Sequence, residues 1–312
     1  MAPRIDSKPL GAGIAFAVGA FVLWGFLPVL FFALRESGPI EIVAWRIVLS
    51  LVFCALLITV TRGWSRLFAV MRDRATVTTL AVASVFILVN WLVYVFASVS
   101  GHIVEASLGY FTNPIVTVLL GVVVLRERLR PLQWAAIGIS AVAVLVLAIG
   151  YGAFPWIALA LAFSFGLYGL VKKRVGPKAD AISGLTIETA VLAPAAAVAL
   201  VVIAATGGLS MGNLGAVHAV LVLTLGVATA TPLILFAAAA RRLPLVYMGL
   251  AQYIAPILQL LVGVVLLKEA MPPERWFGFG IVWLALAVLT VDMFLSARRN
   301  RSAGPDLVAG AP

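Results

Sequence analysis

The chain is poor in charge. Twenty-two Lys and Arg and twelve Asp and Glu make up 11% of its 312 residues, where a soluble globular chain carries about 25%. Such a chain cannot cover its surface with polar groups, which excludes water as its main solvent. Cysteine is nearly absent: Cys54 stands alone in an apolar run, so no intrachain disulfide is possible. The two histidines, His102 and His218, are far apart in sequence. With one apolar cysteine they supply neither a nucleophilic triad nor a zinc set. No Walker P-loop and no Gly-rich dinucleotide fingerprint occur. These absences argue against an enzyme, against a bound metal or cofactor, and against ATP coupling within the chain. The shortage of acidic residues also argues against a selective cation channel, which needs acidic rings.

What is present is apolar. Hydrophobic residues are 63% of the chain and mean hydropathy is +1.15. A helix needs about 20 apolar residues to cross the hydrocarbon core. Ten such runs occur: Leu10–Ala33, Ile42–Val60, Val77–Val99, Ile103–Leu125, Leu132–Ile149, Phe154–Val171, Ile182–Ala205, Ala216–Ala239, Leu245–Leu267 and Trp276–Leu295. The first is longer than a signal-peptide core and reads as a retained span. The pattern predicts an all-α integral membrane protein of ten transmembrane helices.

Basic residues set the orientation. With the N-terminus cytoplasmic, 18 Lys and Arg fall in inside segments and three (Arg35, Lys268 and Arg275) in outside ones. Arg46 lies within a span. The net charge of +10 is therefore a membrane-flanking charge, and nucleic acid is not an expected partner.

One stretch occurs twice. Pro114–Trp134 returns as Pro256–Trp276, 142 residues later without a gap, and 12 of the 26 positions from Pro114 to Ile139 are identical at that offset. Pro114/Pro256, Gly121/Gly263, Glu127/Glu269, Pro131/Pro273, Trp134/Trp276 and Gly138/Gly280 coincide. Apolar composition alone does not align Pro, Gly, Glu and Trp together, so the chain reads as an internal duplication. Five spans per copy reverse direction, which makes the copies inverted repeats. The expected domains are residues 1–151, residues 152–296, and a disordered cytoplasmic tail over 297–312.

Several segments carry a family resemblance. They are Trp24-Gly-Phe-Leu-Pro28, Glu41-Ile-Val-Ala-Trp-Arg46, Asn90-Trp-Leu-Val-Tyr94, Gly101 to Pro114, Arg126-Glu-Arg-Leu-Arg-Pro131 and Gln252-Tyr-Ile-Ala-Pro256. The chain resembles RarD proteins of the EamA branch of the drug/metabolite transporter superfamily, from about Leu10 to Leu295. The resemblance implies ten helices in two inverted EamA repeats, an inner-membrane location and solute translocation.

In such transporters the site lies near the bilayer midplane between the repeats. Tyr110, Asn113, Thr117 and Gly121 share one helical stripe; Gln252, Ala255, Gln259 and Gly263 are their equivalents. A polar stripe repeated in both halves suits a central cavity, and interhelical hydrogen bonding is the plainer alternative. Pro114 and Pro256 each free a carbonyl one turn earlier, which serves solute binding, gating or mere packing. Asn90 and Tyr94 share a face, and Trp24 and Tyr168 sit on the first and sixth spans; all four are candidates to line the cavity. Trp91 reads better as packing.

Arg46 and Glu188 are equivalent at the offset but enter from opposite sides, about 15 Å apart in depth. The duplication therefore predicts two other contacts, Arg46–Glu105 on the outer side and Glu188–Tyr247 on the inner. Snorkelling to the interface is an alternative for both charges, and pairing with Lys172 or Lys173 is another for Glu188. Glu41 and Asp292 read as solvated or interfacial, Glu127 and Glu269 as loop caps or ion pairs, and His102 and His218 as interfacial, with a proton-linked switch the alternative for one of them.

The whole predicts a secondary transporter, an exporter of small metabolites or amphipathic solutes by alternating access. Arg46 would attract an anionic end of the solute. Tyr110, Asn113, Thr117, Gln252 and Gln259 would face its polar groups, and Trp24, Asn90, Tyr94 and Tyr168 its body. Glu105 or Glu188 would carry a coupling proton if one is used. An importer or exchanger of the same fold, and a non-transporting assembly protein, are the other readings.

Overall fold

A computed structural model describes residues 7–126, 129–150, 154–175, 178–240, 242–243 and 245–302. Glu127, Arg128 and the tail beyond Ser302 lie outside the described residues. Within them the protein is all helical. The elements are α1 (Ser7–Ala33), a 3-10 turn (Arg35–Ser37), α2 (Gly38–Val60), α3 (Trp64–Arg72), α4 (Arg74–Val99), α5 (Ile103–Leu125) and α6 (Pro131–Gly150). After these come α7 (Trp156–Val175), α8 (Ala181–Thr206), α9 (Gly215–Ala240), α10 (Leu245–Ala251), α11 (Ile254–Leu261), a π segment (Val262–Leu266) and α12 (Pro273–Ser302). Nine described spans are long and apolar enough to cross a membrane, and Pro131–Val146 is a shorter tenth. This is a multi-pass membrane protein with ten membrane helices among the described residues, α10 and α11 counting as one and α3 as none. α12 runs to Ser302, so the helix continues past Leu295, where the last span was expected to stop.

Two units pack separately among the described residues. One lies within Met1–Asn113 and Trp156–Ala270, the other within Pro114–Pro155 and Met271–Pro312. The division does not follow the duplication, because the fifth helix of each half, α6 and α12, packs against the other. In that smaller unit Arg130 pairs with Asp292 at 2.7 Å. Asp292, expected at an interface, is buried because this partner offsets its desolvation.

The larger unit holds the main core, with Phe31, Leu34, Val43, Ile47, Trp91 and Leu161 among its buried side chains. Its helices approach closely at glycines. A Cβ on Gly226 of α9 would stand 2.5 Å from Leu49 O of α2, and one on Gly109 of α5 would stand 2.7 Å from Ala158 O of α7. Backbone on the far side cannot swing away as a side-chain tip can. Gly226→Ala is therefore expected to lower stability by about 1–3 kcal/mol, the usual cost of overpacking. Thermal unfolding in detergent, compared with Gly138→Ala where nothing lies within 4 Å, checks this.

Helix starts have local causes. Asp73 Oδ1 accepts from Ala75 N and Thr76 N at the start of α4, and Asp180 Oδ1 accepts from Ile182 N and Ser183 N at the start of α8. Each is a side-chain N-cap. At the offset of 142, Asp73 corresponds to Gly215 and Asp180 to Gly38. Both glycines have positive φ, +88° and +69°, so α9 and α2 start at a glycine turn instead.

Asp73 also accepts from Lys178 Nζ at 3.1 Å. The Thr76 hydroxyl first, then Lys178, hold the Asp73 carboxyl down at about 2. The folded value is depressed, so its contribution is present above the ordinary carboxylate range and is lost as pH falls through about 2. Asp73→Asn is expected to remove that pH dependence by lowering stability at neutral pH while leaving it nearly unchanged in acid, where the parent has already lost the contribution, as unfolding midpoints measured across pH would show.

α3 was not anticipated from the sequence. Its Leu67 and Val70 pack on Ile58, Leu80, Val175 and Ile187. Trp64, Phe68 and Met71 are exposed, which is the division of faces of an amphipathic connector.

Candidate functional site

The site is built from helices of the larger unit. Arg46 sits on α2, only 4% exposed. Its Nε donates to Thr229 Oγ1 of α9 at 3.0 Å. Its guanidinium lies 4.2 Å from the Trp91 ring centre and 5.5 Å from that of Phe31. Its Nη1 is buried and has no hydrogen-bond partner among the described residues. Stacking on rings favours a guanidinium, yet an unmet charged donor in a dry interior is costly.

The expected Arg46–Glu105 pair is not what forms. Glu105 Oε1 instead accepts from Ile157 N at 3.0 Å and Ala158 N at 3.5 Å, at the start of α7. The free N–H groups and positive dipole end of a helix are a natural seat for a carboxylate. The Glu188–Tyr247 contact is also replaced. Tyr247 is 45% exposed on α10, while Glu188 is 2% exposed. Glu188 pairs with Lys172 of α7 and accepts from Tyr168 OH at 3.2 Å. Lys172 Nζ in turn donates to Tyr168 OH at 3.1 Å. A cation offsets carboxylate burial in a way a phenol cannot. Gly184, one turn before Glu188, makes room: a Cβ there would lie 3.2 Å from Lys172 Nζ.

Between these two charged points runs a ladder of rings. Phe31 meets Tyr94 at 5.8 Å, Tyr94 meets Tyr110 at 5.3 Å, Tyr110 meets Phe165 at 6.0 Å, and Phe165 meets Tyr168 at 6.0 Å. Three contacts are edge-on, the geometry ring quadrupoles prefer. Arg46 touches the first ring and the Lys172–Glu188 pair touches the last.

Asn90 holds the ladder in place. Its Nδ2 donates to Leu161 O and Ser164 Oγ of α7 at 3.2 Å each, and its Oδ1 accepts from Tyr110 OH at 3.1 Å. It ties α4 to α7 and fixes the Tyr110 rotamer. Trp24 acts mainly through its backbone. Pro28 has no N–H, so Trp24 O loses its helical partner. It accepts instead from Tyr94 OH and from Gln259 Nε2, both at 3.4 Å. The signal that would have found this is a proline four residues after a polar-facing carbonyl. The Trp24 ring packs on Phe21 and Phe236.

The two stripes behave differently. Pro114 lies inside a continuous α5. Its equivalent Pro256 follows a break at Gln252–Tyr253, between α10 and α11. Gln252 is half-buried at that break, Gln259 is buried with an unpartnered Oε1, Asn113 is half-buried, and Thr117 is exposed. The helix after Pro256 ends in the π segment, with Lys268 at φ +56°. Arg126, at the equivalent position after α5, has φ +55°. Glu269 then spans back to α5: its Oε1 accepts from Ile103 N at 2.7 Å and its Oε2 from Val104 N at 2.8 Å.

A helical membrane bundle with a buried cation, a half-buried ion pair and a row of aromatic rings between them fits a protein that handles solutes inside the membrane. Known proteins agree. Residues 11–149 match the EamA-like transporter family. Protein RarD of Streptomyces exfoliatus is 45% identical over 96% of this chain and 94% of its own length. Protein RarD of Escherichia coli is 37% identical over 95% and 99%, and the uncharacterized transporter YojE of Bacillus subtilis is 38% identical over 93% and 97%. One crystal structure superposes with a TM-score of 0.58 at 19% identity, over 89% of this chain and 97% of that one, which shows a shared fold. The chain belongs to the EamA-like transporter family, among its RarD members, and is a membrane transporter.

Proposed function

We propose that the protein is a secondary transporter that binds an anionic small metabolite or amphipathic solute at Arg46. The observation that carries this is the buried Arg46 Nη1, a charged donor with no acceptor in a protein whose family moves solutes. A carboxylate would meet that donor, and the ring ladder would hold the solute's apolar body. Asn90 and Tyr110 then act as a positioned wall, and Gln259 Oε1 offers an unmet acceptor to a donor on the solute. Tyr94, Tyr168, Trp24, Gln252, Asn113 and Thr117 remain lining candidates, and Glu188 with Lys172 is the candidate coupling or gate pair.

Two inverted repeats, residues 1–151 and 152–296, are part of the proposal. The matched αL residues Arg126 and Lys268 and the broken helix beside Pro256 support it, since discontinuous helices recur in inverted-repeat transporters. The basic-residue bias supports cytoplasmic termini, and a bacterial inner membrane is the proposed location. Export is the proposed direction.

Solid-supported-membrane recordings on reconstituted protein test the reading. Jumps of small carboxylates and aromatic amino acids should give transient currents with the parent chain. The same jumps should give none with Arg46→Ala. Equal currents from both would contradict the role of Arg46. Stimulation by solute preloaded on the far side would mark an exchanger instead of an exporter.

A further inference from the structure

A second cluster of titratable groups lies away from the ladder, at the end of the larger unit where α2 and α9 begin. Glu41 of α2 is 3% exposed, although its place near a span end suggested solvent or interface. Its Oε1 accepts from Ser210 Oγ at 2.7 Å, Ser210 N at 3.0 Å, Trp45 Nε1 at 3.3 Å and Met211 N at 3.4 Å. The carboxylate thus pins the segment between α8 and α9. That segment is bounded by glycines of positive φ, Gly208, Gly212 and Gly215, which let the chain fold over the end of α2.

Ser210 Oγ also lies 2.7 Å from Ser37 Oγ, and Ser37 Oγ lies 2.9 Å from His218 Nε2. His218 is buried, and its Nδ1 has no partner among the described residues. Each hydroxyl has one proton to give. The carboxylate only accepts, so Ser210 donates to Glu41. Ser37 must then donate to Ser210, and Ser37 Oγ must accept from His218 Nε2–H. The chain has one direction, and it leaves Nδ1 as a bare acceptor.

We propose that His218, Ser37, Ser210 and Glu41 form a proton-binding site that releases the α8–α9 segment when loaded. A proton taken up by the site adds to His218 Nδ1. The Nε2 proton passes to Ser37 Oγ, the Ser37 proton to Ser210 Oγ, and the Ser210 proton to Glu41 Oε1. One proton enters, His218 ends neutral with its hydrogen on Nδ1, and Glu41 loses its charge. The bonds from Ser210 N and Met211 N, charge-assisted before, weaken. The other charged groups on these elements are the exposed Arg35 and Glu36 of the 3-10 turn, Arg46 on Thr229, and Glu188 on Lys172. None bonds to a member of the relay, and residues 207–217 carry no charge. The opposite end of the unit, held by Asp73–Lys178 and Asp180, has no histidine and so lacks this response. The site does not depend on what Arg46 binds.

A nitroxide at Leu214→Cys, in a Cys54→Ala background in lipid nanodiscs, reads the segment directly. Leu214 is exposed, so the label reports motion of the chain. On acidification from pH 8 to 5 the line shape should shift toward fast motion. His218→Gln and Ser37→Ala should stay restricted throughout, and Glu41→Gln should stay mobile throughout. Ser37→Ala keeps every bond to Glu41, so it tests the relay without unpinning the segment. A pH-independent line shape in the otherwise unsubstituted protein would overturn the proposal. So would an unchanged midpoint in Ser37→Ala or His218→Gln.

Discussion

Lys172→Met is expected to lower stability by about 2–3 kcal/mol, below the usual cost of breaking a fully buried pair, because Lys172 is half-buried and its charge partly screened. Glu188 is 2% exposed, so it cannot turn to water when its cation is lost. Tyr168 OH still donates to it, which moderates the loss without replacing a full charge. The double change, Lys172→Met with Glu188→Leu, should recover most of the deficit, because it removes both desolvation costs at once. A double-mutant cycle on unfolding midpoints measures this. Additive effects of the two changes would mean that the pair is not coupled, and that Glu188 is held by Tyr168 alone.

Arg46→Met should behave in the opposite way. Lys172 and Glu188 satisfy each other, whereas Arg46 keeps Nη1 without an acceptor. Methionine has a similar length, packs on Trp91 and Phe31 through its sulfur, and buries no charge. The empty protein is therefore expected to unfold at an equal or higher temperature, with a gain of about 1–3 kcal/mol, within the range seen when buried charges are replaced by apolar side chains. A functional residue held at a cost to the fold is the usual trade between stability and activity. If Arg46 were a structural strut through Thr229 and the two rings, the same substitution would lower the midpoint. Thermal unfolding of the unliganded chain separates the two cases.

The helices were legible because hydropathy acts over the length of a whole span, and ten runs stand out without any tertiary information. The repeated stretch is visible in the sequence because Pro, Gly, Glu and Trp recur in register, and the two-repeat division drawn from it is a proposal. Side-chain pairing was not. Depth along a helix follows from counting residues, and it put Arg46 and Glu105 on one level. Whether they meet depends on what else competes for the carboxylate, and the start of α7, 52 residues away in sequence, wins it with backbone N–H groups. α3 reads as a basic loop because Arg62 and Arg74 flank it and Arg66 and Arg72 lie within it. Its helical spacing of Trp64, Leu67, Phe68 and Met71 was there to be read. Trp24 was chosen for its ring, while its working group is a carbonyl freed by Pro28. The chain from Glu41 to His218 joins residues more than 160 apart, and no local pattern announces it.

The central claim is that the buried guanidinium of Arg46 is a binding group for an anion. A thermal-shift series tests it most directly. The parent and Arg46→Met would be screened against small carboxylates, amino acids and aromatic amphiphiles, each with its uncharged amide or ester alongside. A ligand that binds only the folded state raises the midpoint by mass action, by about 2.7 kcal/mol at 100 times its dissociation constant. The account predicts that at least one anion stabilises the parent, that its neutral counterpart does not, and that neither stabilises Arg46→Met. An anion that stabilises both proteins equally would contradict it, and would move the binding group away from Arg46.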